Sequence, residues 1–505
     1  MQMQLVSTYL AQALGVRALG DGMALVVLNG TAQLIYSEQE MNAAKSLALA
    51  EVAAPGSGFV TAQAMAAPVT VAPVMAANLQ PGASIAFQDN GTGIRAFLFD
   101  SQTGVLTAAM LSAAGTPGAA QAVTTSVGAL HGVQTFEIIG GVAGDYAVLS
   151  GWNQAGLDVY RLGSDGTLVF ETAIKDTAKS YVGNVSDTAT VRLGGQDYLL
   201  ALSSLENGIT SYAIGADHQP QLIDSLGTHD GLWVSGPAAL QTIGIGGVSY
   251  AIIAATGSSS LSVVRVNAMG CLFMTDNVVD DLTTRFEHPE VLDTFTLQGR
   301  AFVVAAGTDA GITVLELLPD GTLAQFYTVA LETGAGLYNV TGLEAALNGT
   351  TLQIFVVDAG ADRIQKFEMS LAALGGVTQA QSGTATGTAK DDLVLGSLAN
   401  EVLSGGAGDD RIHSAGGSDT LTGGSGADVF VFATAPGSAR IADFETHVDR
   451  IDLSDWGNLY SVAALQITAT GNGAVLSSGG QQISVVTANG LALGASDFSA
   501  GDFIF

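Results

Sequence analysis

Cysteine is nearly missing: Cys271 is the only one in 505 residues. No intrachain disulfide can form, so stability outside a cell has to come from packing or from bound metal. No Lys or Arg precedes Arg17, which leaves the start of the chain without the basic segment of a Sec signal peptide. No stretch of 18 apolar residues occurs, and a transmembrane helix is not expected. Basic residues are scarce throughout, with 16 Lys plus Arg against 46 Asp plus Glu and a formal net charge of −30. Such a field repels nucleic acid and anionic lipid and favours divalent cations. Six histidines are present, His131, His218, His229, His288, His413 and His447, but the His-Glu-x-x-His pair of a zinc protease is absent. So are a Gly-x-Ser-x-Gly elbow and a P-loop, which removes the usual marks of serine hydrolases and phosphoryl transfer.

Charged residues make up 12% of the chain, Gly reaches 65 residues and apolar types 48%. That balance favours short strands joined by tight turns over amphipathic helices, and it supplies enough apolar surface for two or three domains. The expectation is an all-β protein.

Two internal periods organise it. Segments such as Asp197-Tyr-Leu-Leu-Ala and Ala301-Phe-Val-Val-Ala precede Gly/Ser/Asn/Asp-rich turns, and a second alternating run follows each turn. The first apolar residues of those second runs, Leu157, Ile209, Leu261, Ile312 and Ile364, are spaced 52, 52, 51 and 52 apart. Looser copies at Gly93-Ile-Arg-Ala-Phe-Leu-Phe and Thr31-Ala-Gln-Leu-Ile-Tyr bring the count to seven. Units of about fifty residues holding several strands are propeller blades, so a seven-bladed β-propeller is expected over residues 1–377. Asp-Gly turns before Thr167 and Thr322 should lead into outer strands. The last unit stops near Leu374 without an outer strand, which Leu5-Val-Ser-Thr-Tyr-Leu could supply. In spacing and in its G-[IL]-x-[VSA]-[VYF] strand, the pattern resembles the lactonase-like, or YVTN-type, propellers.

After a small-residue linker around Gln379–Gly387, the period falls to nine. Five nonapeptides run without a gap from Gly387 to Val431: GTAKDDLVL, GSLANEVLS, GGAGDDRIH, SAGGSDTLT and GGSGADVFV. Position 8 is always apolar (Val394, Leu403, Ile412, Leu421, Phe430), and position 6 is always acidic (Asp392, Glu401, Asp410, Asp419, Asp428). Glycine at positions 1, 2 and 4, as in Gly405, Gly406 and Gly408 or Gly423, Gly424 and Gly426, lets the backbone turn so that its carbonyls face one cation. A hard cation wants 6 to 8 oxygen ligands, and an acid at position 6 adds charge to those carbonyls.

These units resemble the RTX nonapeptide of haemolysin-type secreted proteins, and the third and fifth match it at every specified position. The resemblance implies a parallel β-roll over residues 378–431 that binds calcium between turns n and n+2. That pairs Asp392 with Asp410, Asp410 with Asp428, and Glu401 with Asp419. The first two copies lack Gly at positions 2 and 4, and the fourth has Ser414-Ala415 for the glycine pair. One apolar layer per turn is a thin core, so the metal is expected to contribute to folding.

Downstream, Arg440-Ile-Ala-Asp-Phe-Glu-Thr-His-Val-Asp-Arg-Ile-Asp-Leu-Ser resembles the capping region of serralysin-type proteins. This adds Asp443, Asp449 and Asp452 as candidate calcium ligands, with turn and cap chemistry as their other reading. The chain ends Asp502-Phe-Ile-Phe, like the uncleaved signal read by type I exporters, so residues 432–505 are expected to hold a β cap and that signal. The implied partners are calcium, a type I exporter and a cell-surface or polysaccharide ligand, with an extracellular location.

Whether the propeller catalyses anything stays open. His131, His229, Glu287 and His288 fall near blade boundaries, where a metal-dependent lactonase or phosphodiesterase could use them. The absence of an acid, base and nucleophile cluster favours a binding or surface-interaction module over a hydrolase. Tyr181, Trp233, Phe286 and Tyr338 recur 52, 53 and 52 residues apart, as sugar-stacking rings or as packing between blades.

Overall fold

A computed structural model describes residues 3–10, 19–28, 31–38, 44–48, 85–89, 94–99, 106–110, 121–123, 125, 133–141, 144–151, 154–215, 219–331, 337, 340–358, 363–381, 383–432, 437–457 and 459–505. The protein is all-β and falls into two compact units, Met1–Phe295 with Ala301–Ser370, and Thr296–Arg300 with Leu371–Phe505.

The first unit is a β-propeller. Its central strands are the near-continuous apolar runs of the sequence: every residue of Arg300–Ala306 and of Gly311–Leu317 is buried. A strand flanked by others on both edges and by blades on both faces has no polar side, so alternation vanishes there. The outermost strands are far less buried, and Pro220–Gly227 leaves Leu222 and Ile223 exposed. Asp-Gly turns lead into outer strands as the sequence suggests. At Asp165-Gly166 the glycine has φ +89°, and Asp165 Oδ1 accepts from Thr167 N and Oγ1 at 3.0 and 2.8 Å. Asp320 treats Thr322 the same way.

Neighbouring blades are stitched by buried or half-buried aspartates. Asp187 Oδ2 accepts from Leu240 N at 2.8 Å, and Asp293 Oδ2 accepts from Ala345 N at 2.7 Å. On the outer strands Asp224 holds Leu272 N at 2.9 Å and Asp276 holds Leu323 N at 2.7 Å. In each case Oδ1 accepts the next residue's amide. The hooks serve amide groups that no ladder pairs, and leaving such groups buried and unpaired is costly. Desolvation pushes the Asp187 carboxyl up to about 7. On the preceding inner strand, Val133–Gly141, burial first and Asp187 second push Glu137 up to about 8.

Among the described residues the structure shows six blades, not the seven expected. The count falls short at the first unit, where Leu19–Leu28, Thr31–Glu38 and Ala44–Ala48 form a three-stranded sheet, while the other sheets of this unit have four strands. The repeat is loosest there, and a fourth strand is missing among the described residues. Closure by the N-terminal segment does occur: Met3–Leu10 pairs antiparallel with Arg363–Ser370 as the outer strand of the last blade, with Leu5 opposite Phe367 and Tyr9 opposite Ile364.

The second unit is a parallel β-solenoid of about four turns. Alternate nonapeptides enter opposite sheets. One sheet stacks Val394, Ile412, Phe430 and Ile451 in register, and the other stacks Ala385, Leu403, Leu421 and Ile441. The two rows face each other as one dry core, each residue being fully buried or nearly so. The segment read as a linker is already a rung: Thr384–Thr386 pairs with Val402–Ala407, and Leu374–Gln379 pairs with Asp391–Leu395. A small Ala385 in the apolar position hid this rung from the sequence pattern. At the far end, Gln481–Thr487 adds parallel to Arg440–Phe444 and continues into an antiparallel meander, while Phe503–Ile504 pairs parallel with Arg450–Asp452.

Candidate metal centre

Stacking at an 18-residue interval brings the position-6 acids of alternate turns together. The amide of Asp392 donates to Asp410 Oδ1 at 2.7 Å, that of Asp410 to Asp428 Oδ1 at 2.9 Å, and that of Glu401 to Asp419 Oδ1 at 2.9 Å. All five acids are buried.

What differs among them is the second carboxylate oxygen. In the copies that lack the glycine pair, a hydroxyl fills the space. Thr388 N and Oγ1 donate to Asp392 Oδ2, Ser397 Oγ donates to Glu401 Oε1, and Ser414 Oγ to Asp419 Oδ2. In the third copy nothing replaces it, and Asp410 Oδ2 is buried with no hydrogen-bond partner among the described residues. A side chain at Gly405 would collide with that carboxylate, and one at Gly423 with the carboxylate of Asp428. Gly406, Gly408, Gly424 and Gly426 hold φ values of +118°, +111°, +108° and +135°, a region other residues avoid. A Cβ on Gly424 would strike the Gly406 carbonyl, and one on Gly426 the Gly408 carbonyl. The glycines thus keep open a cradle of main-chain oxygens beside two acids.

That cradle is short of positive charge. Burial, followed by the charges of Asp392, Asp391 and Asp409, pushes Asp410 up to about 7. Burial, followed by Asp449, Asp410 and Asp443, does the same to Asp428. Asp419 is raised too, chiefly by burial. The free donors are all oxygens, which suits a hard divalent cation. Among the described residues no three His, Cys, Asp or Glu side chains converge tightly enough to hold a metal alone, so an ion here would need the backbone carbonyls as well.

The downstream acids divide. Asp449 continues the row: its Oδ1 accepts from Asp428 N at 3.0 Å and its Oδ2 from Glu445 N at 2.8 Å. Burial is the first cause that pushes it up to about 6. Asp443 spans the amides of Gly423 and Gly424 at 3.0 and 2.9 Å. Asp452 stands apart from this row, capping Ser454 through N and Oγ and pairing with Arg411 at 3.5 Å. The hydroxyl substitutions at Thr388, Ser397 and Ser414 are what the sequence reading missed, although a Ser or Thr at position 1 or 2 of an imperfect copy is a visible signal.

The propeller's candidates are dispersed. His229 and His288 are exposed, and His288 Nδ1 lies 3.8 Å from Glu287 Oε1. Phe286 is fully buried, Tyr181 is partly exposed and donates to Asp230 Oδ2 at 3.2 Å, and Trp233 is 67% exposed. The three described aromatics therefore differ in exposure and do not present one common face. His131, His218 and Tyr338 lie outside the described residues.

Comparison with known proteins agrees for the solenoid. The RTX calcium-binding nonapeptide repeat matches residues 395–430 in four copies. No curated protein matches the chain by sequence. Among solved structures, the periplasmic gluconolactonase of Pseudomonas aeruginosa is 16% identical, with a TM-score of 0.41, covering 72% of this chain and 96% of its own. A Bacteroides fragilis protein with a provisional 6-phosphogluconolactonase assignment is 15% identical, with a TM-score of 0.41 and 69% and 94% coverage. A Lactobacillus plantarum protein is 14% identical, with a TM-score of 0.41 and 59% and 88% coverage. Likeness of this order says nothing about what the chain binds.

Proposed function

We propose that the chain is a secreted calcium-binding RTX protein whose propeller, residues 1–377, is an extracellular binding module. Residues 378–431 form the calcium-dependent roll, and residues 432–505 hold a serralysin-like cap with the signal of a type I exporter. The observation that carries the metal assignment is the buried, unpartnered Asp410 Oδ2 beside the acid of the next matched turn. Calcium supplies the missing charge and draws on the carbonyls of the glycine turns. Asp410 and Asp428 with Gly405, Gly406, Gly408, Gly423, Gly424 and Gly426 hold the best-formed site. Asp449 and Asp443 extend the row, Asp392 begins it, and Glu401 with Asp419 forms a weaker site already served by hydroxyls.

Calorimetric titration of the full chain with calcium, compared with magnesium, tests the reading. Micromolar to millimolar binding selective for calcium is expected, and no heat or structural change with calcium would refute it. Among the described residues no helix is long and apolar enough to cross a membrane. The export half has its own test: deleting residues after Val431 should keep the propeller in the cytoplasm, and residues 378–505 fused to a passenger should carry it out through a matching exporter. Normal secretion of the truncated chain would refute that half.

A further inference from the structure

Trp233 is held outward by its own neighbours. Leu232 and Val234 on either side are buried, at 0% and 6% exposure, while Trp233 is 67% exposed. The turn before it is fixed: Asp230 Oδ2 accepts from Gly227 N at 3.2 Å, Leu232 N donates to Gly227 O at 3.0 Å, and Gly231 takes φ +95°. The indole is therefore displayed on a rigid base, so little conformational entropy is lost when something stacks on it.

It borders a groove of about 530 Å³ on the propeller, closed on the other side by the strand Leu272–Val279. Two polar groups lining this groove have spare capacity. Asp230 accepts its bonds through Oδ2, and its Oδ1 accepts none among the described residues. Asn277 uses Oδ1 for Ser262 Oγ at 2.7 Å, and its Nδ2 donates none among the described residues. Phe273, 43% exposed, adds a second ring, with the Arg265 guanidinium over it at 5.1 Å from the centroid. An aromatic face beside one free acceptor and one free donor matches a pyranose ring, which offers an apolar C–H face and hydroxyls that both give and accept hydrogen bonds. The two acids lining the groove, Asp230 and Asp276, and the net charge of −30 disfavour acidic sugars.

We infer that the groove between Trp233 and the strand Leu272–Val279 is a binding site for neutral saccharides, with Trp233 as stacking platform and Asp230 and Asn277 as hydroxyl partners. This rests on the reading of the propeller as a binding module and gives that module its ligand class.

The test is binding of the calcium-loaded full chain to immobilised neutral glycans (glucans, mannans, galactans and chitin oligosaccharides), with alginate and hyaluronan as acidic controls. The wild type should hold at least one neutral glycan. Trp233→Ala should weaken it about tenfold or more, Trp233→Phe should restore part of the loss, and neither should move the melting temperature, since the ring is exposed. Binding of acidic glycans alone, or undiminished binding by Trp233→Ala, overturns the inference. A chain that adheres to cells yet ignores every neutral glycan overturns it and leaves the binding-module reading standing, whereas one that does neither overturns both.

Discussion

The amide of Asp410 donates to Oδ1 of Asp428, 18 residues further on, and so ties each acid's position to the turn beyond it. Removing one carboxylate therefore both deletes a proposed calcium ligand and frees a buried amide. Asp428→Ala should weaken calcium binding on the order of tenfold or more. Glu401→Ala should do less, because Ser397 already occupies the Glu401 carboxylate. Titration of both variants checks the order, and equal losses would mean that the proposed stacking of ion sites is wrong.

Without calcium the roll has one apolar residue per rung to offset its chain entropy. In chelator, the amides of Val394, Ile412 and Phe430 should exchange hydrogen rapidly, and millimolar calcium should protect them while leaving the propeller strands unchanged. Hydrogen-exchange mass spectrometry of the full chain reads this directly, and protection that is independent of calcium would contradict the coupling of metal to folding.

Gly424→Ala should cost about 2 kcal/mol or more, since it combines a disfavoured φ with a collision at the Gly406 carbonyl. Gly479→Ala, at φ +60° with open space around it, should cost only about 1 kcal/mol. Thermal melts of the calcium-loaded variants compare them.

The inter-blade hooks predict a loss without any contact to the candidate metal row. Asp276→Ala leaves the Leu323 amide without its acceptor and should destabilise the propeller by about 1–3 kcal/mol. Denaturant unfolding followed at the propeller measures it, and an unchanged midpoint would show that the hook is dispensable.

Propeller stability should also depend on pH in a defined direction. Glu137 and Asp187 have folded values raised to about 8 and about 7, so the folded state binds more protons than the unfolded chain between the ordinary carboxylate range and those values. Their stabilising contribution is complete below pH 4 and is lost as pH rises towards 8. Glu137→Gln should flatten the upper part of that slope, which melts between pH 5 and 8.5 would reveal.

Much of the solenoid was legible because its period forces an apolar residue inward at every ninth position, and Val394 through Phe430 all arrive there. The earliest rung was not, since Ala385 is too small to mark a period and Thr384–Thr386 reads as a polar spacer. Spacing also cannot tell which way a recurrent residue points: Phe286 and Trp233 share an interval, yet one is buried and the other exposed. Asp452 matched a motif by letter, but Arg411 and Ser454 engage it away from the row of acids. The hooks of Asp187, Asp224, Asp276 and Asp293 were invisible because their partners are backbone amides, which every sequence contains.

Among the described residues the strand Met3–Leu10 pairs in a ladder only with Arg363–Ser370. The ring is thus fastened like a bracelet whose clasp joins its two ends, and no intermediate length of chain can fasten it. Until Arg363–Ser370 has been made, the early strand lacks the ladder it joins, and any product cut short before that point would carry a bare edge ready to pair with another molecule. A protease that clips off the first ten residues would leave the opposite half of the clasp equally exposed, turning a closed ring into one that can join to its own kind.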